Sequence, residues 1–257
     1  MNREKINLLS SSKTQLKGCI EVAGDKSISH RAIIISSVAD GTTKIHNYLD
    51  SEDVNATIAA CRSMGVHIEK HNGSLIIQGN NLARISGDNI EFNFGNSGTS
   101  MRLMMGILSA QNISSVLLGD ESLNKRPMDR ISKPLIKMSA DIKTSNNMPP
   151  VFIKPVKKII NVDHYEEIAS AQIKSSILLA GLYGDAELCV TTPPSRDHTE
   201  IMLREFNCNI SNDVHAIKMI PSRLQSPGII QVPGDLSSAA FFIVGAILAE
   251  DSEVTIK

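Results

Sequence analysis

The 257-residue chain has no tryptophan, three tyrosines and six phenylalanines. It therefore lacks the aromatic platforms on which single-stranded nucleic acid stacks. An excess of either charge is missing too: 26 Lys and Arg stand against 27 Asp and Glu, a net charge of −1. That balance excludes a global basic field able to gather nucleic acid or an anionic membrane, so any affinity for anions must come from locally placed groups. No apolar run approaches the roughly 18 residues of a membrane span, and the opening stretch MNREKINLLSSSKTQLKG holds no signal-peptide core. A soluble, cytoplasmic protein is expected. The four cysteines, Cys19, Cys61, Cys189 and Cys208, form no CxxC pair and have no histidines at ligand spacing. This argues against a zinc site or a disulfide framework and leaves buried, reduced thiols as the expectation. Two catalytic patterns are absent as well. GDKS lacks the upstream glycine of a GxxxxGK[ST] phosphate loop, and no GxSxG turn exists to support a serine-hydrolase triad.

What the chain does have is an internal repeat. A strand-like run, a small-residue turn and an apolar helix recur as IEVAGDKSISHRAIIISSVA, FNFGNSGTSMRLMMGILSA, EIASAQIKSSILLAGL and IIQVPGDLSSAAFFIVGAILA. The turns at Asp25, Asn96, Ser170 and Asp235 are about 65 to 75 residues apart, a period suited to a small βα-rich unit. After each of the first three helices come a short strand, a second helix with apolar positions three to four apart, and a hairpin-like strand pair such as VHIEKHNGSLIIQG. Each unit reads as βαβαββ. The first helices, at 32–38, 101–108, 173–182 and 239–248, are apolar almost all round, which predicts helices buried on every side with their N-termini at one end of the domain. The fourth unit stops after its first helix and strand.

The three complete turns share a chemical logic of small residues and hydroxyls at a helix start beside cationic groups. Free backbone N–H groups and the positive end of the helix dipole suit such a start to anions. In GDKSISHR, Lys26, Ser27 and Arg31 mark the first turn; in GNSGTSMR, Asn96, Gly98 and Arg102 mark the second; in SAQIKS, Ser170, Ala171 and Gln172 mark the third. Glycine and serine at one helix start are more often plain caps. Three equivalent turns with Lys or Arg nearby favour a site for a substrate carrying several anionic groups. Two loops add charge: in LNKRPM, Arg126 is the better candidate and Lys125 reads as solvated, while in PPSRDHTE, Arg196 could be a ligand group. Asp197, His198 and Glu200 read as helix-capping residues rather than a metal site, and Met101, Met104 and Met105 as core.

Taken together and in order, GDKSISHR, GNSGTSMR, KRPM, SAQIKSSILLAG, PSRDHTE and VPGDLSSAAF resemble the successive signatures of EPSP synthases (3-phosphoshikimate 1-carboxyvinyltransferases) across nearly the whole chain. The resemblance implies transfer of the enolpyruvyl group of phosphoenolpyruvate to the 5-hydroxyl of shikimate 3-phosphate, through a tetrahedral ketal intermediate and with no metal or organic cofactor. It implies that Lys26, Ser27, Arg31, Ser170, Ala171, Gln172 and Arg196 hold shikimate 3-phosphate. It places Lys26, Asn96, Gly98, Arg126 and Gln172 around phosphoenolpyruvate, with Arg102 either supporting that pocket or binding directly and Lys26 the one candidate here for proton transfer. Gly98 further implies a pocket roomy enough for glyphosate. Nucleic acid and membranes are not expected partners.

The same resemblance implies an α/β enolpyruvyl transferase fold of two similar domains, each of three βαβαββ units, with the chain crossing between them at the two GD turns. Residues 1–23 and 234–257 would then belong to a second, incomplete domain and residues 24–233 to a complete substrate-binding one. The family's aspartate base and its Lys-Glu-Ser/Thr-Asp-Arg motif lie in a C-terminal half with no counterpart here. The expectation is a chain that binds but does not turn over alone: a substrate-binding fragment, or one half of a split enzyme whose partner is that C-terminal half. UDP-N-acetylglucosamine enolpyruvyl transferases share the fold, but they carry a cysteine in the loop matching ESLNKRPM, where this chain has none.

Overall fold

The repeat in the sequence is a repeat in space. The computed structural model describes residues 15–87, 89–213 and 216–257. Its first elements are β1 (Lys17–Ile20), α1 (Lys26–Val38), β2 (Thr42–His46), α2 (Glu52–Ser63) and the hairpin β3 (His67–His71) and β4 (Ser74–Gln78). The second round is β5 (Ile90–Asn93), α3 (Gly98–Leu108), β6 (Ser115–Leu118), α4 (Asp129–Lys137), β7 (Asp141–Ser145) and β8 (Met148–Lys154). The third is β9 (His164–Tyr165), α5 (Ala171–Gly181), β10 (Leu188–Thr191), α6 (His198–Glu205), β11 (Asn209–Asn212) and β12 (Ala216–Ile220). Then follow β13 (Ile229–Gln231), α7 (Leu236–Leu248) and β14 (Glu253–Ile256).

Three four-stranded sheets share one topology: β13-β2-β4-β3, β5-β6-β8-β7 and β9-β10-β12-β11. In each, the first pair is parallel and the other two are antiparallel. Two details depart from a contiguous reading of the repeat. The strand before α1 is not the first strand of the first sheet, because β1 pairs in parallel with β14, Lys17 opposite Glu253 and Ile20 opposite Ile256. The vacant position beside β2 is filled from late in the sequence by β13, with Ile229 opposite Lys44. In the third unit the first strand is 164–165 rather than the segment just before Ala171. The Glu166 amide still donates to the Thr191 carbonyl at 2.9 Å, after which the chain leaves the ladder for the α5 cap.

Burial follows the hydropathy of the first helices. Every residue from Ser29 to Val38 in α1 is buried, as are most of α3 and α5. Large side chains such as Ile33, Ile35, Met101, Leu103 and Leu178 are sealed from solvent, each contributing about 1.5–3 kcal/mol. At the α3–α5 crossing, a Cβ on Gly106 would stand 2.3 Å from the Ser176 carbonyl oxygen, so only glycine permits this backbone approach. α7 differs. It is as apolar as the others, yet only Ala239 is buried, and Phe241, Ile247 and Leu248 are more than three-quarters exposed. Among the described residues no helix is long and apolar enough to cross a membrane.

The two GD turns lie side by side. Gly24 and Gly234 form an antiparallel bridge, flanked by hydrogen bonds from the Asp25 amide to the Pro233 carbonyl and from the Asp235 amide to the Ala23 carbonyl, both 2.8 Å. A Cβ on Gly24 would fall 1.8 Å from the Asn47 carbonyl oxygen. Of the cysteines, Cys61 and Cys208 are buried and Cys189 is partly so; Cys19 is exposed, against expectation, because β1 lies in a two-stranded sheet that covers little of it.

Candidate functional site

Each first helix begins on a side-chain cap. The Asp25 carboxylate accepts from the Ile28 amide at 2.7 Å, the Ser97 hydroxyl from Ser100 at 3.3 Å and the Ser170 hydroxyl from Ile173 at 3.4 Å. One cap satisfies one of the free N–H groups of a helix start, leaving others to a ligand. Lys26, Ser27, Arg31, Ala171, Gln172 and Arg196 line a single cavity of about 370 Å³ with Thr99, Ser237 and two carboxylates, the caps Asp25 and Asp235. Arg31 is 3 % exposed. Its Nε donates to Thr199 Oγ1 at 2.7 Å, Nη1 to the Ser27 carbonyl at 2.9 Å and Nη2 to Ser175 Oγ at 2.9 Å. All three acceptors are neutral. Burial, followed by repulsion from Arg196, pulls the guanidinium down to about 10, with Glu200 and Asp25 opposing. Arg196 reaches Ser27 Oγ at 3.3 Å, and Lys26 is held by Asp53 at 3.1 Å.

Asn96, Gly98 and Arg126 form a second group. Arg126 Nη2 donates to Asn96 Oδ1 at 2.7 Å, and Asn96 Nδ2 donates to Asp120 at 2.7 Å. A methyl at Gly98 would meet Arg126 Nη1 at 3.3 Å and Arg102 Nη1 at 3.7 Å, so the glycine sits directly under both guanidiniums. Arg102 and Gln172 connect the two groups: Arg102 Nη1 donates to Gln172 Oε1 at 2.8 Å, and Gln172 Nε2 donates to Thr99 at 3.1 Å. Ser170 lines a neighbouring cavity with Arg102, Arg130 and Gln172 rather than the larger one. Lys125 pairs with exposed Glu121 at 2.6 Å, away from these contacts. Arg31, Arg102, Arg126, Arg130 and Arg196 make no ion pair among the described residues. Their charges are available to an anion.

Several supporting contacts depart from the capping expected of the sequence or lie outside it. Asp197 precedes α6, but its side chain makes no cap hydrogen bond. Thr199 instead bonds Arg31 and Ser175 (2.6 Å), and Glu200 forms a buried ion pair with Lys174 at 2.5 Å. The HTE turn thus locks α6 to α1 and α5 rather than capping itself. His30 Nδ1 bonds Thr57 Oγ1 at 2.7 Å, and Thr57 bonds Ser100 Oγ at 2.6 Å, tying α1, α2 and α3 together. Burial above all, reinforced by Arg31 and Lys26 and opposed by Asp53, lowers His30 to about 4. None of these pairings follows from local sequence, since each spans at least two elements. The positive first turn of α4 (Arg130) could have been noticed.

The family model for EPSP synthase (3-phosphoshikimate 1-carboxyvinyltransferase) matches residues 11–257. The chain belongs to the EPSP synthase family. It is 45% identical over 242 residues to the 3-phosphoshikimate 1-carboxyvinyltransferase of Ruthia magnifica, covering 94% of this chain and 56% of that protein. It is 46% identical over 255 residues to that of Legionella pneumophila (strain Lens), covering 98% and 59%. An EPSP synthase structure from Acinetobacter baumannii superposes with a TM-score of 0.85 at 46% identity, over 93% of this chain and 56% of that one. The α/β architecture is therefore that of EPSP synthases, and the chain spans somewhat more than half the length of the relatives it matches.

Proposed function

We propose that this chain carries the anion-binding half of an EPSP synthase site, which positions shikimate 3-phosphate and phosphoenolpyruvate for enolpyruvyl transfer. The observation that carries this reading is the convergence of Lys26, Ser27, Arg31, Gln172 and Arg196 on one cavity whose arginines have no carboxylate partner. In this reading Ser27, Arg31, Ala171 and Arg196 hold shikimate 3-phosphate with Ser170 at its edge. Asn96, Gly98 and Arg126 shape the phosphoenolpyruvate pocket, Arg102 orients Gln172 between the ligands, and Lys26 reaches both. Preorganised charge of this kind stabilises a transition state without reorganisation at the moment of reaction. The group that deprotonates the 5-hydroxyl is not among these residues, so the isolated chain binds without turning over.

Calorimetry with shikimate 3-phosphate on the chain tests the binding reading; Lys26→Ala should weaken it by about tenfold, the worth of one charge-assisted hydrogen bond. No heat of binding from the unmodified chain sinks the assignment. A steady-state assay, alone and with a C-terminal half of a relative added, tests the second claim, and turnover by the chain alone overturns it. The exposed apolar side chains of α7 favour a covering surface, such as the C-terminal half of the family, over a free-standing binding fragment. With it we assign residues 15–23 and 234–257 to a second domain and 24–233 to the substrate-binding one; the remainder of the expected 1–23 segment, residues 1–14, lies outside the described residues.

A further inference from the structure

A second cavity of about 210 Å³ lies between the first turns of α4 and α5, and Gln172 lines both it and the larger one. Its polar walls are Arg102, Arg130, Ser170 and Gln172, over an apolar floor that includes Ile131. Two guanidiniums and no carboxylate face it. Asp129, the acid nearest in sequence, is taken by Lys133 at 3.0 Å. Arg102 commits Nη1 to Gln172 and makes only a long contact, 3.3 Å, from Nη2 to the Pro127 carbonyl. Arg130 makes no ion pair among the described residues. Burial first, then Arg126 and Arg130, lowers Arg102 below the ordinary guanidinium range, and no acid opposes them. Like charges facing one cavity repel, and an oxyanion between them converts repulsion into two attractions. A guanidinium offers paired donors matched to such an ion.

We propose that this cavity is a second anion subsite, which takes a phosphate-sized oxyanion between Arg102 and Arg130 and is distinct from the Lys26–Arg31–Arg196 cavity. The subsite does not depend on the reaction proposed above, and either can fail while the other stands. The ion is a phosphate, either free or as the phosphoryl group of an ester.

Titration of the chain with inorganic phosphate at low ionic strength, followed at backbone amides by ¹⁵N NMR, tests this. Ile131 and Ser170 should shift saturably, on a curve separate from that of Ser27 and Ala171. Arg130→Gln should weaken the first curve by about tenfold, a charge-assisted hydrogen bond's worth, and leave the second in place. Arg196→Gln should do the reverse. Arg130→Lys, which keeps the charge but loses the paired donors, should retain part of the affinity. Unchanged spectral dispersion in each variant verifies the fold. The proposal is overturned if Ile131 and Ser170 do not move with phosphate, or if their curve responds to Arg196→Gln and not to Arg130→Gln. A parallel titration with phosphoenolpyruvate separates the sources: movement with inorganic phosphate alone assigns the free ion, and movement with both assigns phosphoryl groups in general.

Discussion

At the residue scale, Gly98 has a tolerance of a few tenths of an ångström. A methyl group there meets Arg126 Nη1 at 3.3 Å, tighter than an ordinary contact, and Arg126 is a flexible side chain that can yield. Yielding misaligns its 2.7 Å bond to Asn96. Gly98→Ala should therefore fold normally and lose roughly 1 kcal/mol of affinity for an anion at Arg126. Glyphosate, if it occupies that pocket, should lose at least as much; competition calorimetry reads both. His30 makes a second prediction. Held near 4 when folded and near 6.5 when unfolded, it binds its proton in the unfolded chain first. Stability from this group is complete above about pH 6.5 and falls as the pH drops toward 4, by up to about 3 kcal/mol. Urea denaturation between pH 4.5 and 7 should show a shallower slope in His30→Gln; equal slopes would refute it. Residue types were legible in the sequence here, and their partners were not. Lys125 next to Arg126 was already separable as the solvated cation, because a planar fork suits an oxyanion better than a long flexible ammonium does.

At the scale of elements, the three buried helices are held at their starts by polar contacts and along their lengths by apolar ones. The Lys174–Glu200 pair is the costliest of the polar contacts to break, because either partner alone is a buried charge. Lys174→Met should destabilise the chain by about 3–5 kcal/mol, and adding Glu200→Leu should recover much of that loss, as read from urea midpoints. A double variant no more stable than the single would show that the pair is more than a mutual neutralisation. For α1, α3 and α5, helix order and burial were readable from the all-round apolar runs, since period and hydropathy are local properties. The exchange of β13 for β1 beside β2 was not, because a parallel strand can be supplied from anywhere in a chain. The HTE turn misled for a related reason: its residue types fit a cap, and tertiary contacts to Arg31 and Lys174 claimed them instead.

At the scale of the whole molecule, one helix of four lies outside the shared core. Phe241, Ile247 and Leu248 leave large apolar side chains of one helix exposed, a surface of the sort that drives association. The purified chain should bind a hydrophobic dye and show concentration-dependent sedimentation. Phe241→Ser with Leu248→Ser should reduce both without altering phosphate binding; an unmodified chain that sediments as a monomer at all concentrations would refute the expectation. Four recurring turns made this architecture visible in the sequence, but the exposure of α7 depends on what packs against it, which its own residues do not encode.

The paired passage at Gly24 and Gly234 has a mechanical consequence. One connecting strand leaves the parts on either side free to swivel as well as bend. Two strands, clamped to each other by a pair of 2.8 Å hydrogen bonds, resist torsion while still folding about a line through both. Any displacement of β1, α7 and β14 relative to the three sheets would thereby be confined to bending about the line through Gly24 and Gly234, with little twist.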